Sequence, residues 1–434
     1  MKKLVEKLKG RQKLSVREVR ELIRNPEKWP EDLTALLARR ALEMGENFYA
    51  YDIAENIPEN SPENFLQKIH IMALALARSG SLERASELLE KLPDSDSTEI
   101  VGLKSRILKD MAVNTTDPEK KRQLFRQSAE LSLAIFERKN QYYNGINAAS
   151  CLFMAGEKDT AQQLVREKVL TLCQQIENPG LWEEATLGEC FLLLNDCEAA
   201  ALHYGIAAGI AVNEGQLGSF ASTLKQFYML AVNFPEDCIA RIIEKMHLPG
   251  IGIFSGHMID RPERKSPRFP AYAEEQVRGE LAAVIRKRNI RIAFSSCACG
   301  GDILFLEEVL KAGGECFIVP PLPLDDTIAN SVDIIPGANW KERLFAIFRN
   351  ENVFVFEPEC DEIGVDDDAI VYDFTNRYIL GIAAFRSQTL HFPLFGVTVW
   401  NGEKSGLVGG TDSAIAHWQQ RNIPLDIITP EIRK

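Results

Sequence analysis

At 434 residues, with 26% charged and 45% hydrophobic side chains, the chain has room for two or three domains of ordinary globular composition. A net charge of −12 excludes a protein held to nucleic acid by bulk electrostatics, and no apolar run approaches the roughly 20 residues of a membrane-spanning helix. Nine cysteines without a paired framework, and a basic N-terminus lacking the apolar core of a signal peptide, predict a cytoplasmic protein.

From about residue 14 to 245 the apolar spacing is helical throughout. Met72–Leu89, Ala148–Val165 and Leu187–Tyr204 share one pattern. Each has an apolar helix, a turn at Gly80, Gly156 or Asn195-Asp196, and a small residue five positions later: Ala85, Ala161 and Ala200. These alanines stand 76 and 39 positions apart, which predicts one weaker unit between the first two. Thr116-Asp117-Pro118 falls at its turn, although no alanine follows at the matching place. A period near 39 resembles tetratricopeptide hairpins, whose repeat is about 34 residues. Such pairs cannot bury their apolar faces alone and stack into a curved solenoid with a concave surface. That surface reads either as plain scaffold or as a groove for a protein partner. The block Tyr142–Ala149 resembles the repeat region called the TRAFs-binding domain, which implies docking or regulation, not chemistry.

Pro249-Gly250 breaks the helical register and sets the expected boundary, 1–247 against 248–434. Beyond it short apolar strands are predicted at Ile251–Phe254, Arg291–Phe294, Cys316–Val319, Val353–Phe356, Gly396–Trp400 and Leu425–Ile428. Helices are predicted around 271–288, 302–312, 338–349, 369–388 and 412–421. This alternation predicts a parallel sheet covered on both faces, with ligands outside the carboxyl ends of its strands.

The loops after the strands are therefore candidate walls of one crevice. Ser255–Pro270 carries Arg261, Arg264, Lys265 and Arg268, cations suited to phosphate. Ser295, Ser296 and the turn to Gly300-Gly301 contain no side chain larger than cysteine, and Asp302 opens the next helix, whose first N–H groups favour an anion. Gly409-Gly410-Thr411-Asp412 repeats that logic after the fifth strand. Glu357–Asp368 is an acidic loop in which Asp366-Asp367-Asp368 either chelates a hard cation or caps the following helix.

The strand–Ser–Gly–Asp–helix unit at 292–310, the Gly-Gly-Thr helix start at 409–412 and Phe254-Ser255-Gly256 together resemble the SLOG superfamily. That group includes the DNA-processing protein DprA, the LOG phosphoribohydrolases and ligand-binding domains of TRPM-like channels. The resemblance covers about 180 residues, 250 to 430. It implies a Rossmann-like fold binding nucleotides, nucleotide-sugars or related molecules through Ser255, Gly256, Ser296, Gly300, Gly301, Asp302, Gly409, Gly410 and Thr411. The hydrolases' Pro-Gly-Gly-x-Gly-Thr-x-x-Glu run is incomplete here, with Ala414 and Ile415 where the acid belongs. The expected fold class is thus α plus α/β: an N-terminal all-helical repeat solenoid followed by a Rossmann-like doubly wound parallel sheet.

Single residues carry competing readings. Cys297-Ala-Cys299 suggests a metal or redox site, but four tetrahedral ligands are not in view and small buried turn residues explain it; no metal or cofactor is expected. His257 is a general base or a polar contact. Arg377 is a phosphate clamp or the i,i+4 partner of Asp373, and Asn376 a base or ribose reader. Trp340 and Trp400 stack on a base or belong to the core. The leading expectation is a cytoplasmic sensor or adaptor that binds a phosphorylated, nucleotide-derived molecule at two converging helix starts and docks a partner through its repeats. The alternatives are a hydrolase of such a molecule, using His257, Asp302 or Asp412 as acid–base groups, and a scaffold with an inert sheet domain.

Overall fold

The computed structural model describes residues 31–92, 97–356, 368–404, 406 and 408–432, with residues 6, 7 and 18. Asp366 and Asp367 of the acidic loop lie outside the described residues. Contacts divide the chain into two compact units, one built on Glu21–His247 and one on Leu248–Gln388 with Phe392–Lys434.

The first unit is helical: α1 (Glu31–Met44), α2 (Asn47–Glu55), α3 (Pro62–Arg78), α4 (Leu82–Glu90), α5 (Thr98–Asn114), α6 (Pro118–Lys139), α7 (Tyr142–Met154), α8 (Lys158–Leu164, continued by a π-helical Val165–Val169 and Leu170–Gln174), α9 (Leu181–Leu193), α10 (Cys197–Glu214), α11 (Leu217–Ala231) and α12 (Glu236–Met246). The repeated turns are left-handed at Gly80 (φ 89), Gly156 (φ 95) and Asn195 (φ 62), a conformation that glycine and asparagine adopt most readily. Ala85, Ala161 and Ala200 are wholly buried where the paired helices cross. The weaker unit is α5–α6. Asp117 caps α6 by accepting from Glu119 N–H at 2.9 Å, and Pro118 opens the helix. Its crossing uses serines in place of alanine: Ser105 Oγ lies 2.8 Å from the hydroxyls of both Ser128 and Ser132, so each small polar group satisfies another.

The end of the array departs from the simple solenoid. α12 packs back on α10, to which Cys197–Cys238 ties it, although no pairing was expected of the cysteines. α11 turns inward against α1 and α5. Arg40 of α1 donates to Glu214 O at the end of α10 at 2.8 Å, and Lys225 Nζ of α11 reaches Asp110 Oδ2 of α5 at 2.8 Å. Gly218 makes the α1 contact possible. A Cβ there would stand 2.2 Å from Gly45 N and 2.4 Å from Leu42 O, both main-chain atoms that cannot swing away. Gly218→Ala should therefore cost about 3 kcal/mol, the upper end of ordinary overpacking. Gly209→Ala on α10, where no atom lies within 4 Å of the added carbon, should instead be neutral or stabilising by about 0.5–1 kcal/mol. Thermal melts of the two variants followed by circular dichroism check both signs.

The second unit is a six-stranded parallel sheet in the order β4-β3-β2-β1-β5-β6. Its elements are β1 (Gly250–Phe254), α13 (Glu274–Lys287), β2 (Ile290–Ser295), α14 (Gly301–Lys311), β3 (Glu315–Ile318), α15 (Trp340–Arg349), β4 (Val353–Val355), α16 (Asp368–Leu390), β5 (Leu394–Val399), α17 (Thr411–Gln420) and β6 (Leu425–Ile428). The predicted strands and helices are all present, with ends displaced by at most three residues. Alternation along β1 separates the two faces. Gly252 leaves room for the Phe305 ring of α14, 3.0 Å from where a Cβ would stand, and Phe254 stacks on Phe305 at 4.8 Å. Ile253 points the other way, in register with Gly396, whose missing side chain admits Trp418 of α17. α14 and α17 thus cover opposite faces, as right-handed crossovers to either side of β1 require. On the first face Arg343 of α15 grips Glu307 of α14 through two bonds of 2.8 and 2.7 Å, and Arg278 of α13 joins the same carboxylate at 2.9 Å.

Candidate ligand site at the carboxyl edge of the sheet

Every strand is parallel, so the loops after β1, β2 and β5 lie along one edge, and strand order reverses between β1 and β5. The loops after these two strands are laced together. Thr398 Oγ1 donates to Ser255 O at 2.7 Å and His257 N–H to Val399 O at 2.9 Å. Gly256 lies where a Cβ would meet the Phe254 ring at 2.7 Å. The His257 ring, 6% exposed, places Nε2 2.9 Å from Asn401 Oδ1. An amide oxygen only accepts, so Nε2 carries the proton. Burial pushes the His257 pKa down, which favours the neutral ring.

The basic loop closes around Asp260. Its Oδ2 accepts from Arg268 and Phe269 N–H, both at 2.8 Å, while Arg264 Nε lies 3.2 Å from Oδ1. Phe269 is fully buried and anchors the loop. Arg264 is therefore occupied by the chain's own carboxylate, and Arg261 and Lys265 are exposed. Arg268 is half-buried, with Nε shielded from solvent and without a hydrogen-bond partner among the described residues. Burial, then the neighbouring Arg264, push its pKa down, while Asp260 and Glu403 of the β5 loop oppose the shift.

The β2 turn is filled by protein. Met258 and Gly300 form an antiparallel bridge, Gly301 N–H donates to His257 O at 3.1 Å, and Cys299 N–H to Ser331 O at 2.8 Å. Gly300 (φ 95) has Ile259 N 2.4 Å from where a Cβ would stand. Asp302 accepts from Ala298 N–H at 3.1 Å and is 6% exposed; burial pushes its carboxyl up to about 7. Ser295 is wholly buried and Ser296 half-buried. Cys297 and Cys299 sit in the core, and burial pushes the Cys299 thiol up to about 12.

The β5 turn is more open. Gly409 (φ 83) offers its carbonyl to Asn376 Nδ2 at 3.1 Å, and Asp412 Oδ2 accepts from Gly406 N–H at 3.1 Å. Gly410 and Thr411 are half-buried, and their N–H groups meet no acceptor among the described residues. Below them Asp373 gathers Arg377 Nε at 2.6 Å, Ser413 Oγ at 3.0 Å and His417 Nε2 at 3.2 Å. Burial pushes that carboxyl up, but the donors from His417, Ser413 and Arg377 outweigh it and hold the pKa below the ordinary range. Asn376 and Arg377 thus brace the α16–α17 contact. Trp340 is core, under the Arg343 guanidinium at 4.0 Å, and Trp400 Nε1 donates to Glu403 O at 3.0 Å.

The two helix starts therefore share an edge but not an environment: α14 is capped by the β1 loop's main chain, and α17 is accessible. Thr398 and Asn401, which lace the edge, went unrecognised in the sequence because their partners lie 143 and 144 positions away, and Asp260 went unrecognised although its partners lie within nine positions. The Asp373–Arg377 spacing was a local signal.

Among the described residues no helix is long and apolar enough to cross a membrane. No curated protein matches the chain. Three crystal structures of LpoA from Haemophilus influenzae match it over 97% of this chain and 79% of theirs: full-length LpoA at 1.97 Å resolution and in monoclinic form 1, and a further monoclinic form. Their identity is 9–10% and their TM-scores 0.22–0.23. Residues 49–152, from α2 to α7, match the model of the Tetratricopeptide Repeats-Sensor family, and the helical unit is a tetratricopeptide-like repeat array.

Proposed function

We propose that this protein is a cytoplasmic sensor and adaptor. Its sheet unit, of SLOG type, holds a phosphorylated, nucleotide-derived small molecule between the loops after β1 and β5, and its repeats dock a protein partner. The observation that carries the reading is Arg268, in the loop after β1, whose Nε is shielded from solvent and has no hydrogen-bond partner among the described residues. A buried donor left unsatisfied costs about 1–3 kcal/mol, which a ligand oxygen would recover. The Gly410 and Thr411 N–H groups at the start of α17 supply a second anion contact. The three acid–base candidates support binding over hydrolysis, because His257, Asp302 and Asp412 all serve internal hydrogen bonds. For the partner, Leu202 and Ile206, one turn apart on α10 and 50% and 40% exposed, form an apolar strip.

The test is thermal melting with ADP-ribose. At a hundredfold excess over Kd, ligand should stabilise the sheet unit by about 2.7 kcal/mol. Arg268→Gln should weaken binding at least tenfold without lowering the ligand-free melt. An unchanged affinity in that variant would remove the proposed site.

A further inference from the structure

The helical unit contains a pocket that neither its repeat architecture nor the sheet edge accounts for. α5, α7, α9 and α11 enclose about 60 Å³, roughly the liquid volume of two waters, opening outward past Tyr143 and Trp182. Three cations line it: Arg106 and Lys109 from α5 and Lys225 from α11. Part of their work is structural. Lys225 pairs with Asp110 at 2.8 Å, Arg106 Nη1 donates to Ser222 Oγ at 3.2 Å, and Lys109 bonds Asn147 Oδ1 at 3.2 Å and Gln226.

The charges do not balance. Asp110 is one counterion, with Arg106 Nε 3.8 Å from it. Glu189, the other carboxyl, is fully enclosed, bonded to Ser150 and Gln226, and burial pushes it toward its neutral form. Burial also pushes the Lys225 pKa down, with Arg106 and Lys109 opposing its charge. Three cations thus face two carboxyls, which leaves positive charge over in a partly enclosed recess, where fields are strong. At the mouth the rings of Tyr143 and Trp182 are 46% and 36% exposed, edge to face at 6.2 Å. α11 packs on α1 and is tied to α5 by Arg106–Ser222 and Lys225–Asp110.

We infer that this pocket binds a small phosphomonoester carrying a planar ring, of the nucleoside-monophosphate class, with its phosphate against Arg106, Lys109 and Lys225 and its ring against Tyr143 and Trp182. A phosphomonoester brings a charge of about −1.5 to −2 and three acceptor oxygens, for which the three cations supply donors. Stacking accepts any planar base. The site is independent of the one proposed on the sheet.

Calorimetric titration of the full chain with AMP, adenosine and inorganic phosphate tests it. AMP should bind, and adenosine at least tenfold more weakly. Lys109→Met should weaken AMP at least tenfold. Because that change could also loosen α11, Trp182→Ala, at an exposed ring, provides the second variant: about tenfold weaker AMP binding with an unaltered melt. Arg268→Gln should leave AMP affinity unchanged. No heat with millimolar AMP, retention of affinity in both helical variants, or loss only in Arg268→Gln would overturn the assignment.

Discussion

Asp302→Asn is expected to stabilise the sheet unit by about 4 kcal/mol at pH 8 and by almost nothing at pH 4. The carboxyl is 6% exposed, accepts a single N–H from Ala298 and lies among apolar side chains at the start of α14, so burial raises its pKa from the ordinary 3.8 to about 7. Below about pH 4 the folded and unfolded chains both hold the proton. Between about 4 and 7 only the folded chain does, so stability falls with rising pH at about 1.4 kcal/mol per unit. Above 7 the folded protein contains a buried carboxylate with one donor, and the loss is complete. Asparagine keeps an oxygen for Ala298 N–H and has no proton to lose. The gap between variant and parent melting temperatures should open across this window and reach roughly 8–16 °C, at about 2–4 °C per kcal/mol for a unit of this size. Parallel melting curves from pH 4 to 8 would mean that Asp302 is ionised when folded at neutral pH, and would refute the environment described for it.

The same residue shows where sequence reasoning reached and where it stopped. Asp302 followed by Ile303, Leu304 and Leu306 announces a helix start, and the start is there. The small residues before it read equally as a cradle for phosphate and as clearance for protein. That ambiguity is physical: a glycine at φ 95 admits any close neighbour, and the sequence does not say whether it will be a ligand or the main chain of residues 257–259. Substitution of Gly301 is consequently no clean probe of ligand binding, since a Cβ would stand 2.9 Å from the Phe254 ring. At Gly409–Thr411 the same letters leave the helix start accessible, and the difference is set by a loop from another strand.

Legibility followed range. The periodicities that place six strands, the turns at Gly80, Gly156 and Asn195, and the alanines at the helix crossings are all local, and they appear in the structure where the chain predicts them. For α11 the sequence showed only helical spacing. Its inward packing depends on Gly218 meeting the main chain of Leu42 and Gly45, a contact across more than 170 positions that no window could reveal. The Arg106, Lys109 and Lys225 cluster was invisible for the same reason, because each cation alone reads as a solvated helix face.

Reduction of Cys197–Cys238 is expected to destabilise the helical unit by about 4 kcal/mol, the loop-closure value for a separation of 41 residues. α12 is the last helix of the array and buries only Cys238, Ile242 and Met246, while its Arg241–Glu198 ion pair is exposed and of little worth. With so small an apolar face the helix depends on the covalent tie to α10. The melting temperature should fall by roughly 8–16 °C in dithiothreitol, and Cys197→Ser should reproduce the fall without reductant. Hydrogen exchange should show protection lost first over 236–246. Equal melting with and without reductant, once mass spectrometry shows both thiols free, would mean that packing alone holds α12. The six free cysteines among the described residues are all buried, so among those residues this pair is where the redox state of the surroundings acts directly on the fold. In a reducing cytoplasm the end of the array would rest on three side chains, and its stability would follow the thiol balance around it.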